Sequence, residues 1–436
     1  MAIYYPRAKA VIKVLLDSDD GEQVHTFDAV PRSVEIKRNT QLEADTFDLT
    51  LDYGDFPLDP RSLRAVQVGL FLGDVGGADR EDQIMSAKYR AFLGYADVPS
   101  TDLSEDDQSV RLTGRDYTGL FLDDIWKPQN KIEIDQTMQS VLEYIISKVP
   151  GAEDIKTEFS AQASSGKNTK LSDLLGKTIW TQRGKDDDSW TVLVDLFGAV
   201  GLLPVIVLDT LTIVAPGEVR DVQAYLQYGQ NINRLEFSKN LNNIRRRQIK
   251  IVSWDAAAGV SRSATYPEKP IIIAKRISTK GKVKNETAPI VTFSVSGSQS
   301  KAELLARARN IYEQEARQQI EGKLETSEMR VPSTYDKAQK QENDVQLCAL
   351  ANGDSVVVQL SAIDRAGLLA LNYSEAVETL VANGMRSSVA RALISSLKQA
   401  NRLAISFYVK TATHSWDRDA GYTLNVNFIN FLGDRK

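Results

Sequence analysis

The sequence is poor in the residues that most catalytic and metal sites need, with two His and one Cys among 436 residues. His25 and His414 lie near opposite ends of the chain, and Cys348 is alone. A zinc site of Cys and His and a disulfide within the chain are therefore excluded. A Ser-His-Asp or Cys-His mechanism would depend on one of two imidazoles, and we interpret His414 as a turn or packing residue. We predict no enzyme activity, no catalytic residue, no cofactor and no metal.

Long apolar runs are missing as well. The longest, Phe197–Leu208, is too short to span a membrane and contains Pro204. Residues 1–7 lack the charged and apolar regions of a signal peptide. We therefore expect no membrane insertion and assembly in a cytoplasm.

The charge is close to balanced, with 53 Lys and Arg against 58 Asp and Glu and a net charge of −5. A protein that grips nucleic acid over a broad face is usually basic, so this composition disfavours such binding. The hydrophobic share of 42% and the charged share of 25% are those of a globular protein. At roughly 100–200 residues per domain, we expect two to four domains.

The common catalytic and binding motifs are incomplete. Gly166-Lys167 lacks the upstream glycine and the following Ser or Thr of a phosphate loop. The run Asp186–Asp188 lacks the alternation and the glycine of a calcium loop. Asp123 and Asp124 stand beside Trp126, but adjacent side chains of an extended segment point to opposite faces and would not converge on one bond. We interpret each of these as a loop or turn.

Alternating apolar and polar residues predict strands at both ends of the chain and a mixed region between them. Six strands are predicted in residues 1–117, which favours a sandwich or a small barrel: Ala8–Leu16, Val34–Lys37, Thr46–Leu51, Val66–Leu72, Ala91–Val98 and Ser109–Thr113. Residues 118–233 predict an α/β unit, with helices at Thr137–Val149 and Trp190–Val200 and a hairpin of Leu203–Leu208 and Leu211–Val214. In residues 234–436, helical segments are predicted at about 301–323 and 372–401, among strands at Leu235–Ser238, Gln248–Trp254, Ile271–Ala274, Ile290–Val295, Val356–Leu360, Ile405–Lys410 and Leu424–Phe431.

One short pattern occurs twice, and it indicates an internal repeat. Val34–Asn39 and Leu235–Asn240 both read apolar-Glu-apolar-x-basic-Asn. Polar residues and then an alternating strand follow each copy, Thr46–Leu51 in the first case and Gln248–Val252 in the second. We therefore predict two related barrels in one chain.

A basic cluster follows the second copy of this pattern. It consists of Lys239, Arg245-Arg246-Arg247 and Lys250. Such a cluster either contacts phosphate or pairs with acidic residues of a neighbouring chain. Because the net charge is negative and no aromatic residue is interleaved, a subunit contact or a solvated face is favoured.

Three stretches resemble the tail hub, or baseplate hub, proteins of tailed bacteriophages and related contractile injection systems. The first is Val110–Leu120 with Gly114-Arg115-Asp116, which resembles the segment that closes the first barrel of these hubs. The second is the helix Thr137–Val149, which ends in Pro-Gly. The third is the carboxyl end, where Thr413–Asp417 and Gly421–Thr423 resemble the closing hairpin of the hub, preceded by a Gly-Asp turn in Asn352–Val356.

This resemblance implies a fold that is α+β and mainly β. It has two tail-tube-like β-barrels, residues 1–117 and 234–436, with the α/β domain 118–233 between them and helical insertions in the second barrel. It implies a homotrimer whose six barrels connect the hexameric tail tube protein to the trimeric central spike protein. Tape measure and baseplate wedge proteins are further expected partners, and DNA is passing cargo. The expected location is the tail baseplate of the virion, assembled in the host bacterial cytoplasm.

The predicted site is a subunit interface on the two repeated strands, the Gly-Arg-Asp junction and the basic cluster. The candidate residues are Val34, Glu35, Lys37, Asn39, Arg115, Asp116, Glu236, Lys239, Asn240, Arg245, Arg246 and Arg247. Two alternatives stay open. A tail-associated peptidoglycan hydrolase would need convergent carboxylates, and the hub of a type VI secretion spike would be expected to continue into β-helical sequence after residue 436.

Overall fold

The computed structural model describes most of the chain. The described residues are 4–18, 21–40, 43–56, 63–76, 84–104, 108–127, 130, 132–133, 135–161, 163–171, 187–199, 202–215, 223–227, 231–239, 247–255, 259–277, 283–296, 301, 304–305, 307–309, 311–312, 320–335, 342–359, 378, 381, 386–389, 391 and 404–430.

Strands dominate this part of the chain, so the prediction of a mainly β fold is confirmed. The strands are β1 Tyr4–Ser18, β2 Gly21–Ala29, β3 Ser33–Arg38, β4 Thr46–Asp52, β5 Leu63–Gly76, β6 Arg90–Leu103, β7 Gln108–Asp116, β8 Lys156–Phe159, β9 Leu203–Val207, β10 Thr210–Val214, β11 Gln223–Gln227, β12 Arg234–Lys239, β13 Gln248–Asp255, β14 Val260–Tyr266, β15 Ile272–Ile277, β16 Val283–Thr287, β17 Ile290–Ser296, β18 Ile320–Thr326, β19 Arg330–Tyr335, β20 Glu342–Gln346, β21 Ser355–Gln359, β22 Ala404–Asp417 and β23 Gly421–Asn430. The α-helices are α1 Thr118–Asp123, α2 Met138–Ile146 and α3 Ser189–Ala199, and short 3-10 helices cover Tyr53–Asp55, Ala87–Tyr89, Ser164–Gly166 and Leu347–Ala349.

One 13-stranded sheet joins both ends of the chain. Its order is β12-β18-β23-β22-β3-β4-β7-β6-β5-β1-β2, with β21 and β11 attached through β22. Buried apolar residues from both ends of the chain form one cluster on this sheet, from Ala8 to Phe428. Among the described strands the pairing order is open, running from β12 to β2, and the two closed barrels stay a prediction.

Five neighbouring strands occur twice in this sheet. The first repeat is β3-β4-β7-β6-β5 and the second is β12-β18-β23-β22-β21, with antiparallel pairing throughout. Both long strands carry a bulge at the same place, after Ala96 in β6 and after Val409 in β22. The sheet therefore contains an internal structural repeat.

The two repeats share one register, and this register supports the pattern seen in the sequence. In the first repeat Ile36 lies opposite Phe47, which lies opposite Gly114. In the second, Phe237 lies opposite Gly322, which lies opposite Phe428. Counted from the bulges, residues 34–38 and 235–239 therefore align residue by residue. The Phe and the Gly have exchanged strands between the repeats.

The second half of the sequence pattern predicts the wrong neighbour for β12. Thr46–Leu51 does lie in β4 beside β3, but Gln248–Val252 lies in β13, in a separate sheet with β14 and β17. The partner of β12 is β18, which begins at Ile320. An insertion between β12 and β18 separates the two paired strands by about eighty residues, so the next alternating strand along the chain is not the next one in the sheet.

The middle region has a hydrophobic cluster of its own. Helix α2 begins after Thr137, whose hydroxyl accepts from the backbone N–H of Ser140 at 3.2 Å, which is an N-cap. Its apolar stripe packs with α3 and with the three-stranded sheet β8-β10-β9. Strand β11 lies before the predicted boundary at residue 233 but pairs with β21 in the main sheet. The domain boundaries themselves stay predictions.

The two helical insertions lie largely outside the described residues. Helix is present at residues 301, 304–305, 307–309 and 311–312, and at 378, 381, 387–389 and 391. The segment predicted as helix up to residue 323 is wrong at its end, because 320–323 belong to β18. The alternation of side chains along β18 places Leu324 in the core of the main sheet.

Candidate assembly surface

The two repeats pair with each other within the chain through one pair of strands, β3 and β22, and we name this strand pair the joint. Residues 33–38 pair antiparallel with 412–417, so that Trp416 lies opposite Val34 and His414 opposite Ile36. All four side chains are buried, with exposed fractions of 7% or less. Candidate Val34 is therefore a core residue of this joint, while Glu35 and Lys37 point to the opposite, more open face, where they form an ion pair of 2.9 Å.

His414 is a neutral packing residue in the joint. Its Nε2 lies 2.9 Å from the Leu350 carbonyl oxygen, and its Nδ1 lies 2.9 Å from the Tyr422 hydroxyl. Because a carbonyl only accepts, Nε2 carries the proton and Nδ1 accepts from Tyr422. Burial lowers the pKa of His414 to about 3. Neither nitrogen is available to act as a base on a substrate.

Beside the joint, Arg38 and Asp45 form a buried ion pair. Arg38 Nη1 donates to Asp45 Oδ2 at 2.7 Å, and Arg38 Nη2 donates to the Ala91 carbonyl. Asp45 Oδ1 accepts from the backbone N–H of Asn39 at 2.7 Å. The last two positions of the repeat pattern, basic then Asn, thus close the loop between β3 and β4 in the first copy. Candidate Asn39 has this structural role within the chain.

Asp116 starts the turn from β7 into α1. Its backbone N–H donates to the Asp45 carbonyl at 2.9 Å, and its carboxylate accepts from the backbone N–H and the hydroxyl of Thr118 at 3.1 and 3.2 Å. Burial, and then the negative charge of Asp45, raise the pKa of Asp116. Since Asp116 is 4% exposed, its pairing is local and its side chain does not reach a neighbouring chain.

Arg115 ties the first repeat to the middle region. Its guanidinium donates to both oxygens of Asp97 in β6, at 2.7 and 2.9 Å, and to both oxygens of Asp123 in α1, at 2.9 and 2.7 Å. These hydrogen bonds, those to Asp97 first, raise the pKa of Arg115. Two paired aspartates give this arginine a fixed, bidentate geometry.

Replacing Arg115 with lysine is expected to lower the free energy of unfolding by about 1 kcal/mol, because one ammonium cannot form two bidentate pairs and the site is partly exposed. Urea denaturation measures the change. Arg111→Lys is the control, since Arg111 pairs with Asp48 at a more open site and is expected to leave the midpoint unchanged. Equal midpoints for R115K and the wild type would contradict this role.

Strand β12 of the second repeat is exposed, whereas its counterpart in the first repeat, β3, is buried in the joint. In β12, Glu236 and Phe237 are exposed, Phe237 at 53%, whereas its counterpart Ile36 is 0% exposed. A groove of about 540 Å³ runs beside β12 over β18, β23 and β22. Lys239 ends β12, and Arg247 is exposed. Candidates Asn240, Arg245 and Arg246 lie outside the described residues.

A second exposed strand segment extends β6 beyond the predicted strand Ala91–Val98, and we name it the β6 arm (Val98–Leu103). It extends β6 beyond its pairing with β5, which stops at Tyr95, and pairs with β7 on one edge. Val98 and Leu103 are each 59% exposed. The signal was available, because two large apolar residues stand in a stretch from 97 to 107 that contains five acidic residues and no basic one.

The remaining groups with reactive potential are separate or buried. No group of three or more His, Cys, Asp or Glu among the described residues is arranged to hold a metal ion. Burial raises the pKa of the Cys348 thiol to about 12, and His25 lies on the exposed strand β2. Of the helices in the described ranges, none has the length and apolar character needed to cross a bilayer.

Two solved structures share this fold over nearly the whole chain. One is a tail protein from Neisseria meningitidis MC58, with 13% identity and a TM-score of 0.55 over 97% of this chain and 97% of that one. The other is the 43 kDa tail protein of prophage MuSo2 from Shewanella oneidensis, with 14% identity and a TM-score of 0.51 over 97% and 98%. No protein-family model matches the sequence, and no curated protein matches it. This chain therefore has the fold of these two tail proteins.

Proposed function

We propose that this protein is a structural hub of a phage tail, in which three copies connect the hexameric tail tube to the trimeric central spike. It has no catalytic role in this proposal. Its partners are its own copies, the tail tube protein and the spike protein, with tape measure and baseplate wedge proteins as neighbours. It lies in the baseplate of the virion and forms part of the channel through which DNA passes.

The internal repeat carries the proposal. Each chain presents two related five-strand repeats in one register, so three chains present six. A ring of three such chains has sixfold character on one face and threefold symmetry as a whole, which is what a tube-to-spike connection needs. The fold shared with two tail proteins supports the same assignment.

The arrangement of charged and titratable groups agrees with a scaffold. His414, Asp116 and Arg38 are buried and paired inside the chain, and they stabilise the joint and the start of α1. A channel formed by a chain of net charge −5 lets DNA move without holding its phosphates.

Mass photometry of the purified chain tests the proposal. The expected result is a particle of three times the 48.3 kDa chain mass, alone or after mixing with the spike protein. A monomer under both conditions would contradict the hub assignment. So would clearing of a cell-wall suspension by the purified protein, if a single carboxylate substitution abolished it, because that result identifies a hydrolase.

A further inference from the structure

Among the strand edges of the main sheet that have no partner in the part of the chain that the structure describes, two belong to the five-strand repeats and carry exposed large apolar residues. One is the outer edge of β12, which pairs with β18 on its other side. The second is the outer edge of the β6 arm, which pairs with β7. Unpaired edges with exposed apolar residues are templates for pairing with another chain.

The joint within the chain provides a model for how these two edges could pair, because it is formed by their counterparts. β12 in the second repeat is the counterpart of β3 in the first, and the β6 arm is the counterpart of the segment 412–417 of β22. Within the chain, β3 and 412–417 pair with each other. We propose that β12 of one copy pairs antiparallel with the β6 arm of a second copy, repeating this joint between chains. The inference rests on the proposed function, since it places the contact that would close the ring.

The repeat also predicts the register. In the joint, Thr413 lies opposite Lys37 and Trp416 opposite Val34. Counted from the bulges, the counterparts of Thr413 and Lys37 are Ser100 and Ser238. Those of Trp416 and Val34 are Leu103 and Leu235. The pairing between copies therefore places Ser100 opposite Ser238 and Leu103 opposite Leu235.

The side chains of the paired strands in the joint are less exposed than the corresponding side chains of the unpaired strands. Ile36 and Trp416, in the joint, are 0% and 7% exposed, whereas their counterparts Phe237 and Leu103 are 53% and 59% exposed. Pairing between copies would cover Phe237 and Leu103 as the joint covers Ile36 and Trp416. Burial of two large apolar side chains contributes favourably to association.

The charges of the two edges are complementary. The β6 arm contains Asp102, and the sequence from 97 to 107 has five acidic residues and no basic one. Strand β12 contains Arg234 and Lys239 against one acidic residue, Glu236, which pairs with Arg234. The arm therefore has a net negative charge and β12 a net positive one, which favours pairing between them over pairing of either edge with itself.

Cysteine cross-linking of the full chain tests the register. Directly opposed Cα atoms in a sheet lie within the distance range of a disulfide, and the native Cys348 is buried. In the double variant S100C/S238C, mild oxidation is expected to shift the protein to two-chain and three-chain masses on a non-reducing gel. The single variants S100C and S238C, and the double variant S238C/S263C with Ser263 in the separate sheet of β14, are expected to remain single chains. L103C/L235C serves as a second pair.

The outcomes separate this inference from the proposed function. If the reduced variants form trimers by mass photometry but neither cysteine pair cross-links, the strand pairing is wrong and the hub proposal stands. If no assembly forms in any variant or in the wild type, both fail. Cross-linking of S238C/S263C as strong as that of S100C/S238C would also overturn the pairing. It would show that the cysteines react through non-specific contact and not because two strands pair in the proposed register.

Discussion

Replacing Gly114 with alanine is expected to destabilise the protein by about 3 kcal/mol, an effect of the size produced by overpacking a well-filled site. A Cβ atom on Gly114 would lie 1.9 Å from the Tyr95 carbonyl oxygen and 2.7 Å from the Ala96 Cα. Both atoms belong to the backbone of β6, at the bulge, so neither can turn away. The same Cβ would lie 2.8 Å from Cε1 of Phe47. The steric clash can be relieved only if β6 moves away from β7.

Thermal unfolding followed by circular dichroism measures this effect. Gly54→Ala is the matched control, because a Cβ at that position has no atom of the surrounding structure within 4 Å, apart from its own short helix and chain neighbours. A melting temperature for G114A equal to those of G54A and the wild type would contradict the steric argument. The expected loss is larger than that for R115K, because a backbone clash cannot be relieved by a rotamer change, whereas a partly exposed ion pair is replaced in part by water.

The individual strands could be predicted because each buries one face. Val34–Lys37 and Thr46–Leu51 alternate in sequence, and they alternate between buried and partly exposed in β3 and β4. The pattern does not predict strand β2, because this strand lies at the end of the sheet and residues 23–26 are all exposed. A strand without a clear buried face carries no period-2 signal.

The pairing order could not be predicted in the same way. A hydrophobic pattern reports which face a strand buries and not which strand lies beside it. The partner of β12 is β18, which follows after the insertion that contains β13 to β17. A prediction that pairs β12 with the next strand along the chain therefore gives β13, which is the wrong strand. The exchange of Phe47 and Gly114 for Gly322 and Phe428 also removes the side-chain similarity that would have identified β18.

The subunit interface itself stays a prediction. The two repeated strands and the Gly-Arg-Asp junction are structurally important, but Val34, Asn39 and Asp116 act within the chain, as contacts of a joint or a turn. Sequence similarity between two strands cannot show that one copy is already paired and the other is not. That difference appears only in exposure, at Phe237 and Leu103.

Acid is expected to weaken the joint through His414. Because the folded state holds this imidazole neutral with a pKa near 3, while the unfolded chain binds a proton with the ordinary pKa of 6.5, protonation favours unfolding. The contribution is fully present above pH 6.5 and is lost as the pH falls towards 3. The slope is about 1.4 kcal/mol per pH unit, so lowering the pH from 7.5 to 4.5 is expected to cost about 3 kcal/mol.

Asp116 acts in the opposite direction, and the measurement has to separate the two groups. The raised pKa of its carboxyl means that the folded state binds this proton more tightly, so its contribution to stability increases as the pH falls. The test is therefore the difference between the wild type and H414Q in urea denaturation at several pH values. H414Q is expected to be less stable at pH 7.5, since it disturbs the bonds to Tyr422 and Leu350, and this difference should shrink by about 3 kcal/mol at pH 4.5. A difference that stays constant with pH would show that His414 does not titrate on unfolding.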